Sequence, residues 1–431
     1  MKILQYSLLL PFLLATNAYS HTKHHDGVTQ LLQDPEVKIL DISDHLYDGE
    51  FDAAEKELQT LIVQNPDFSL AQLMYAELIT AKSGLVPGFS SWLAPENNDI
   101  SGLVEEIRRR HAHRKQSTIH TAGRVPEFLL QLSPSQKQVV VVDSSLSRAL
   151  IFENKENELS LVNDYYITVG KNGVLKNSEG DGRTPVGVYF ITSRLNPLGL
   201  DDLYGDGALP LNYPNEWDQR LGRSGFGIWL HGVPSDTYNR APFATQGCVA
   251  FPNKDIALLY NTPDIENSPV IITQQINWVE KAQNSYFRLS LSKQIDAWRN
   301  DWEDGNIEEI GRYYAKSFSN GSLNRNAWLQ AQSALLTQSS FNKFELSDVS
   351  MFRYPGTPRM VVVSFNKEYA GNNASKRSRV RQYWRLDEND AWRIVYEGPA
   401  QYQPVHFKGI PDTVRPTLAD EVQRRAKGLK S

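Results

Sequence analysis

The spacing of apolar residues changes twice along this chain, which excludes a single uniform domain. Up to about Gln116 they recur every three or four positions, at Leu46, Ala53, Ala54, Leu58, Leu61 and Ile62, then at Ala71, Met74, Tyr75, Leu78 and Ile79. That is the period of amphipathic helices. After Ser133-Pro134-Ser135 the pattern becomes β-branched and aromatic, over Val139 to Val142, Ala149 to Glu153 and Leu159 to Val169. Asp143-Ser144-Ser145 and Asn154 to Asn157 separate these runs as turns, which predicts a mostly antiparallel sheet. Beyond the strand Val270 to Thr273, helical spacing returns over Ile295 to Asp304, Asn306 to Phe318 and Arg325 to Leu336. Strands follow at Phe344 to Phe352, Arg359 to Tyr369, Ser378 to Leu386 and Trp392 to Glu397. The expected fold class is multidomain α+β, and 431 residues suffice for two or three cores.

The expected organisation is a leader at 1–20, a helical subdomain at 27–116, a mostly β domain at 134–275, a polar helical connector at 276–291, an α+β domain at 292–400 and a tail at 401–431. The Gly49 turn and the Asn65-Pro66 break resemble a single tetratricopeptide-like helix pair, too little for a solenoid. Gly84 to Asn98 reads as a loop. Ile100 to Gln116 reads as a helix whose Arg108, Arg109, Arg110, Arg114 and Lys115 form a solvated face.

One cysteine stands out chemically. Cys248 is the only one in the chain, within Thr245-Gln246-Gly247-Cys248-Val249, seventeen positions after His231-Gly232. A thiol attacks as thiolate, so it needs an imidazole to take its proton. Free cysteine otherwise packs as a small hydrophobe. Lys2, the apolar run Leu8 to Ala15 and Ala18-Tyr19-Ser20 read as a secretory signal peptide, so export to the periplasm is expected. In an oxidising compartment a lone unpaired thiol suggests a retained reactive group. A formal charge of −5, with 22% charged residues, argues against a dedicated nucleic-acid surface.

Several separated motifs then agree in order. Gly170-Lys171, Gly180-Asp181-Gly182-Arg183-Thr184-Pro185-Val186-Gly187-Val188-Tyr189, Leu211-Asn212-Tyr213-Pro214-Asn215, Gly222-Arg223, Gly227-Ile228-Trp229-Leu230-His231-Gly232 and Thr245 to Val249 resemble the YkuD-type catalytic domain of bacterial L,D-transpeptidases. The resemblance implies acyl transfer on peptidoglycan stem peptides. Cys248 would attack the carbonyl of the third stem residue, expel the terminal D-amino acid and leave a thioester for an amine or water. His231 would serve as base and then acid, the Gly232 carbonyl would orient it, and the nitrogens of Gly247 and Cys248 would face the oxyanion. Arg183, Thr184, Tyr213, Trp229, Thr245 and Gln246 are the candidate substrate-binding residues. Many family members carry arginine two residues after the cysteine, where this chain has Ala250; Arg183, Lys171 or Arg223 would then bind the stem carboxylates. The resemblance also leaves open an L,D-carboxypeptidase, a linkage-cleaving hydrolase and a noncatalytic murein-binding scaffold.

Ala297-Trp298-Arg299, Tyr313-Tyr314, Trp328, Val363-Ser364-Phe365, Tyr369 and Trp392-Arg393-Ile394 resemble the nuclear-transport-factor-2-like, or SnoaL-like, cone fold. Such a cone implies a pocket for a ligand, a protein partner or a dimer. The region after Trp278 is therefore expected to be separable from the chemistry. No cofactor and no metal are expected, and His21, His24 and His25 read as a solvated tail.

Overall fold

The computed structural model describes residues 34–84, 98–120, 123–338, 341–357, 359–371 and 375–400. The expected leader, the tail at 401–431 and most of the Gly84 to Asn98 loop lie outside them. No helix among the described residues is long and apolar enough to cross a membrane.

Among the described residues of the N-terminal unit are three helices of equal length, Pro35–Asp48, Phe51–Gln64 and Ser69–Lys82. The Asp34 carboxylate accepts from Glu36 N at 3.0 Å and caps the first. Gly49, at φ +79°, closes it in the left-handed conformation that glycine adopts without strain. Ile39, Ile42, Ala54, Leu58, Leu61, Leu70, Ala71, Met74 and Leu78 are all buried, so the predicted pair gains a third helix that completes a small core.

The second unit begins at Pro95. At its centre five strands run in the order Glu158–Tyr166, Arg148–Lys155, Gln138–Asp143, Pro269–Thr273, Gly187–Phe190. Only Gln138–Asp143 and Pro269–Thr273 are parallel. The valines 139 to 142 are each no more than 2% exposed because both faces of this sheet are covered. Val140, Val142, Ile151 and Ile272 face one core with Leu230, Val249 and Phe251. Val139, Val141, Leu150, Phe152 and Ile271 face another with Phe352, Val362, Tyr383 and Val395 of the C-terminal domain. The period of two along each strand thus divides its residues between the catalytic side and the domain interface.

That interface argues against the expected separability. Leu129–Gln131, upstream of the central sheet, adds a fifth strand to the C-terminal antiparallel sheet, with Leu129 opposite Phe352. Glu216 accepts from Tyr383 Oη at 2.9 Å and Arg381 Nη1 at 3.0 Å, and Asn215 Nδ2 donates to Tyr354 Oη at 3.0 Å. The expected connector and first helix of the C-terminal domain are one continuous helix, Lys281–Glu303. Its polar first half belongs to the same amphipathic element that buries Leu291, Ile295, Trp298 and Trp302. Helices Ile307–Tyr313 and Arg325–Gln338 complete the cone with strands Phe341–Arg353, Met360–Gly371, Ser375–Leu386 and Trp392–Pro399.

A Cβ on Gly187 would lie 2.6 Å from Tyr354 Oη and 2.8 Å from Tyr189 Oη, both held by buried hydrogen bonds. Gly187→Ala is therefore expected to destabilise the protein by about 1–3 kcal/mol through overpacking at the interface, read as a lowered denaturation midpoint.

Helix Asn98–His120 joins this second unit and not the first. Arg109 Nη1 donates to Ser145 O at 2.9 Å, and Arg110 stacks 3.9 Å over the Tyr166 ring while pairing with Glu106. The expected solvated face holds for Arg108, Arg114 and Lys115 but not for Arg110, which is 1% exposed. A single helix has more than one face, and this run of arginines wraps around it.

Candidate active site

Two short parallel pairings carry the cysteine loop. Phe243–Thr245 lies beside Val169–Gly170, and Val249–Ala250 lies beside Trp229–His231, with Val249 opposite Leu230 and Ala250 opposite His231. The turn Thr245 to Cys248 spans the two. Thr245 Oγ1 donates to Cys248 O at 2.7 Å and accepts from Gly247 N at 3.1 Å. Thr184 Oγ1 donates to Gly247 O at 2.9 Å and accepts from Gly170 N at 2.9 Å, tying the long 170–187 loop to the same turn. Gly247 adopts φ +132°, and a Cβ there would lie 2.7 Å from Arg183 O. The position therefore requires glycine on both conformational and steric grounds.

Cys248 is half-buried, its Sγ 3.4 Å from Gly227 O and within reach of the Trp229 amide. Burial pushes its thiol up to about 11, opposed by the Trp229 amide and by the Lys176 ammonium. His231 is 3% exposed, and burial holds its imidazole down at about 4. Its Nδ1 lies 2.6 Å from Gly232 O, so the Nδ1–H donates there and Nε2 is left as the basic nitrogen. Gly232 is itself fixed, because its N–H donates to Tyr204 O at 2.9 Å and a Cβ would meet Asn253 Oδ1 at 2.3 Å. Asn253 Oδ1 also accepts from Val233 N and Asp206 N, stapling the loop behind the histidine.

Of the candidate residues, Gly247 and Cys248 lie in the turn that leads into Val249–Ala250, the strand beside the one that ends in His231 and Gly232, and the Gly247 N–H donates to Thr245 Oγ1. That bond occupies the nitrogen expected to face the oxyanion. Arg183 and Gln246 are exposed and available to a ligand, with Arg183 Nη1 donating to Val174 O at 3.1 Å. Thr184 and Thr245 are buried and act as braces, not as substrate contacts. Tyr213, 4% exposed, lies in the core with its hydroxyl on Ser224 O, and Trp229 is 7% exposed against Tyr204. Arg223 is committed to Asp218 at 2.7 Å, whereas Lys171 is exposed. Ala250 is 2% exposed, so nothing projects from that position.

Three residues at the site carry no motif signal. Tyr204 sets its ring edge-on to His231, with centroids 5.3 Å apart, and its phenol lies close enough to Cys248 to respond to its charge. Lys176 is buried, with its ammonium 2.8 Å from Asp181 Oδ1. Asn253 lies five residues after Cys248, and only its contacts reveal its role. Thr184→Val, which keeps the shape of the side chain and removes both hydrogen bonds, is expected to cost about 1–3 kcal/mol of stability in denaturant unfolding. Among the described residues no group of three or more His, Cys, Asp or Glu is placed to hold a metal; His21, His24 and His25 lie outside them.

Comparison with known proteins agrees with this geometry. Residues 137–272 match the family model of the L,D-transpeptidase catalytic domain, and residues 290–398 match that of the Cds6 C-terminal NTF2-like domain. Among solved structures, Bd1075 from Bdellovibrio bacteriovorus is 26% identical with a TM-score of 0.56, covering 65% of this chain and 99% of its own. The helical cell shape determining protein Pgp2 from Campylobacter jejuni is 22% identical with a TM-score of 0.53, covering 66% of this chain and 100% of its own. Comparison with curated proteins gave no match.

Proposed function

From the premise that residues 137–272 form an L,D-transpeptidase catalytic domain, we propose that this protein is an exported cysteine acyl-transfer enzyme acting on peptidoglycan stem peptides. The observation that carries the reading is the His231 Nδ1 contact to Gly232 O, which turns Nε2 into the free base of a site built around a single thiol. The thiol proton passes to His231 Nε2 as Cys248 Sγ bonds to the carbonyl carbon of the third stem residue. The Cys248 amide donates to the oxyanion, and Lys176 supplies the nearby positive field. Collapse breaks the bond to the terminal D-amino acid, whose amine takes the proton back from His231, leaving a thioester on Cys248.

An acceptor amine then gives a crosslink or an amine-exchanged product, as an L,D-transpeptidase does. Water in its place gives the tripeptide of an L,D-carboxypeptidase. The buried Ala250 favours the second outcome, because the family's common arginine, a bidentate ligand for a carboxylate, is missing there. The fold shared with a cell-shape-determining protein supports a role in shaping the wall.

Mature protein incubated with disaccharide-tetrapeptide, with and without an acceptor amine, distinguishes these products by mass spectrometry. Cys248-dependent exchange establishes the transpeptidase. Cys248-dependent tripeptide alone establishes the carboxypeptidase, and product formation that survives Cys248→Ala rules out the thioester route.

A further inference from the structure

We propose that a groove of the C-terminal domain, beside its seam with the catalytic domain, binds a ligand carrying two or more phosphate groups. The groove encloses about 940 Å³ and is lined by Arg312, Lys316, Arg325, Arg359, Arg385 and Arg393. Against these six cations stand the lining carboxylates Asp387 and Glu388 and, just outside the lining, Asp390 and Glu309, which leaves an excess of two positive charges in a chain whose net formal charge is −5.

Internal pairing takes up three of the six and leaves Lys316, Arg325 and Arg385. Arg393 meets Asp387 at 3.3 Å, Arg359 pairs with Asp390, and Arg312 pairs with Glu309 at 2.7 Å. Arg325 directs its guanidinium to the carbonyls of Gly311 and Tyr314, which carry no formal charge. Lys316 and Arg385 are exposed and form no ion pair with a described residue. Arg220, from the catalytic domain, enters the same seam and donates to Ser317 O and Val395 O. Burial and then the charge of Arg385 hold the Arg220 guanidinium below its usual range. Like charges gathered in a concave site attract a counter-ion.

Arginine forks favour planar or tetrahedral oxyanions taken two bonds at a time. One carboxylate would engage a single cation, whereas a ligand with two phosphates presents charged acceptors on several sides and can meet Lys316, Arg325 and Arg385 together. A lipid headgroup and a soluble phosphate polymer both supply that chemistry.

Calorimetric titration of the mature protein with tripolyphosphate tests the site. Binding is expected at low ionic strength, weakening as salt is added. The double substitution Lys316→Glu, Arg385→Glu changes two exposed side chains and is expected to weaken binding by about a hundredfold, taking roughly tenfold per charge contact. Its circular dichroism and its Cys248 alkylation rate should match the wild type, which separates lost binding from lost fold. Sedimentation with phosphatidylglycerol vesicles, against phosphatidylcholine, assigns the lipid source; tripolyphosphate binding without vesicle binding assigns the soluble one. No binding at low salt, unchanged affinity in the double variant, or equal affinity for hexaglutamate would each overturn the proposal.

Discussion

Replacing Cys248 with alanine is expected to reduce turnover of disaccharide-tetrapeptide to background while leaving the denaturation midpoint nearly unchanged. The side chain is half-buried, its hydrogen bond to Gly227 O is weak, and the turn around it is held by Thr245 and Thr184 through backbone atoms. His231→Ala is expected to slow acylation by roughly 10²–10⁴-fold, the usual worth of a positioned general base. The resting pair is neutral, because burial raises the thiol to about 11 and lowers the imidazole to about 4. The productive form is thiol beside neutral imidazole. It is lost only when His231 gains a proton below about pH 4 or Cys248 loses one above about pH 11. The kcat/KM profile should therefore be flat from about pH 5 to about pH 10, roughly one unit inside those limits. Iodoacetamide should label Cys248 at pH 7 about two orders of magnitude more slowly than a free cysteine of ordinary pKa. An inflection near the ordinary histidine value, or rapid labelling at neutral pH, would show that the resting site holds an ion pair instead.

The second large effect concerns the C-terminal domain. A chain ended before the helix Lys281–Glu303 is expected to fail to fold into a stable catalytic domain, and not merely to lose recruitment. Such a cut removes Phe352, Tyr354, Met360, Val362, Tyr383 and Val395 from the core that covers one face of the central sheet. It would leave Val139, Val141, Leu150, Phe152 and Ile271 facing water. At about 1.5–3 kcal/mol for each large apolar side chain, this exposure is comparable to the whole stability of an ordinary domain. Limited proteolysis and solubility of the truncated protein check this directly. A soluble, cooperatively unfolding fragment that still alkylates at the wild-type rate would show that the interface is dispensable.

The places where sequence reasoning succeeded share a physical basis. Strand positions in the central sheet were legible because β-branched runs between turn residues mark extended backbone wherever they occur, and the central YkuD-type domain and the C-terminal NTF2-like domain were both recognisable from ordered motifs. The site was partly legible for the same reason. His231-Gly232 and Gly247-Cys248 are local signatures whose chemistry requires those residue types.

What failed depended on contacts between residues distant in the chain. Thr184 and Tyr213 share motifs with the catalytic residues, yet one braces the Gly247 carbonyl and the other fills the core. Tyr204 and Lys176 lie in loops with no distinguishing pattern, and reach the site only because those loops fold back over it. The three-residue strand Leu129–Gln131 is too short to show a period, and it is created by pairing with Met351 and Phe352 more than two hundred positions later.

By itself, then, the sequence determined the order of the elements, the kinds of domain they form and the identity of the thiol and imidazole, since each of these follows from local spacing and residue chemistry. Only the tertiary structure decided which groups surround those side chains, that the Gly247 amide is taken by Thr245, and that the C-terminal sheet covers one face of the central sheet. Those outcomes rest on burial and on hydrogen bonds between remote residues, and neither is encoded at any one position.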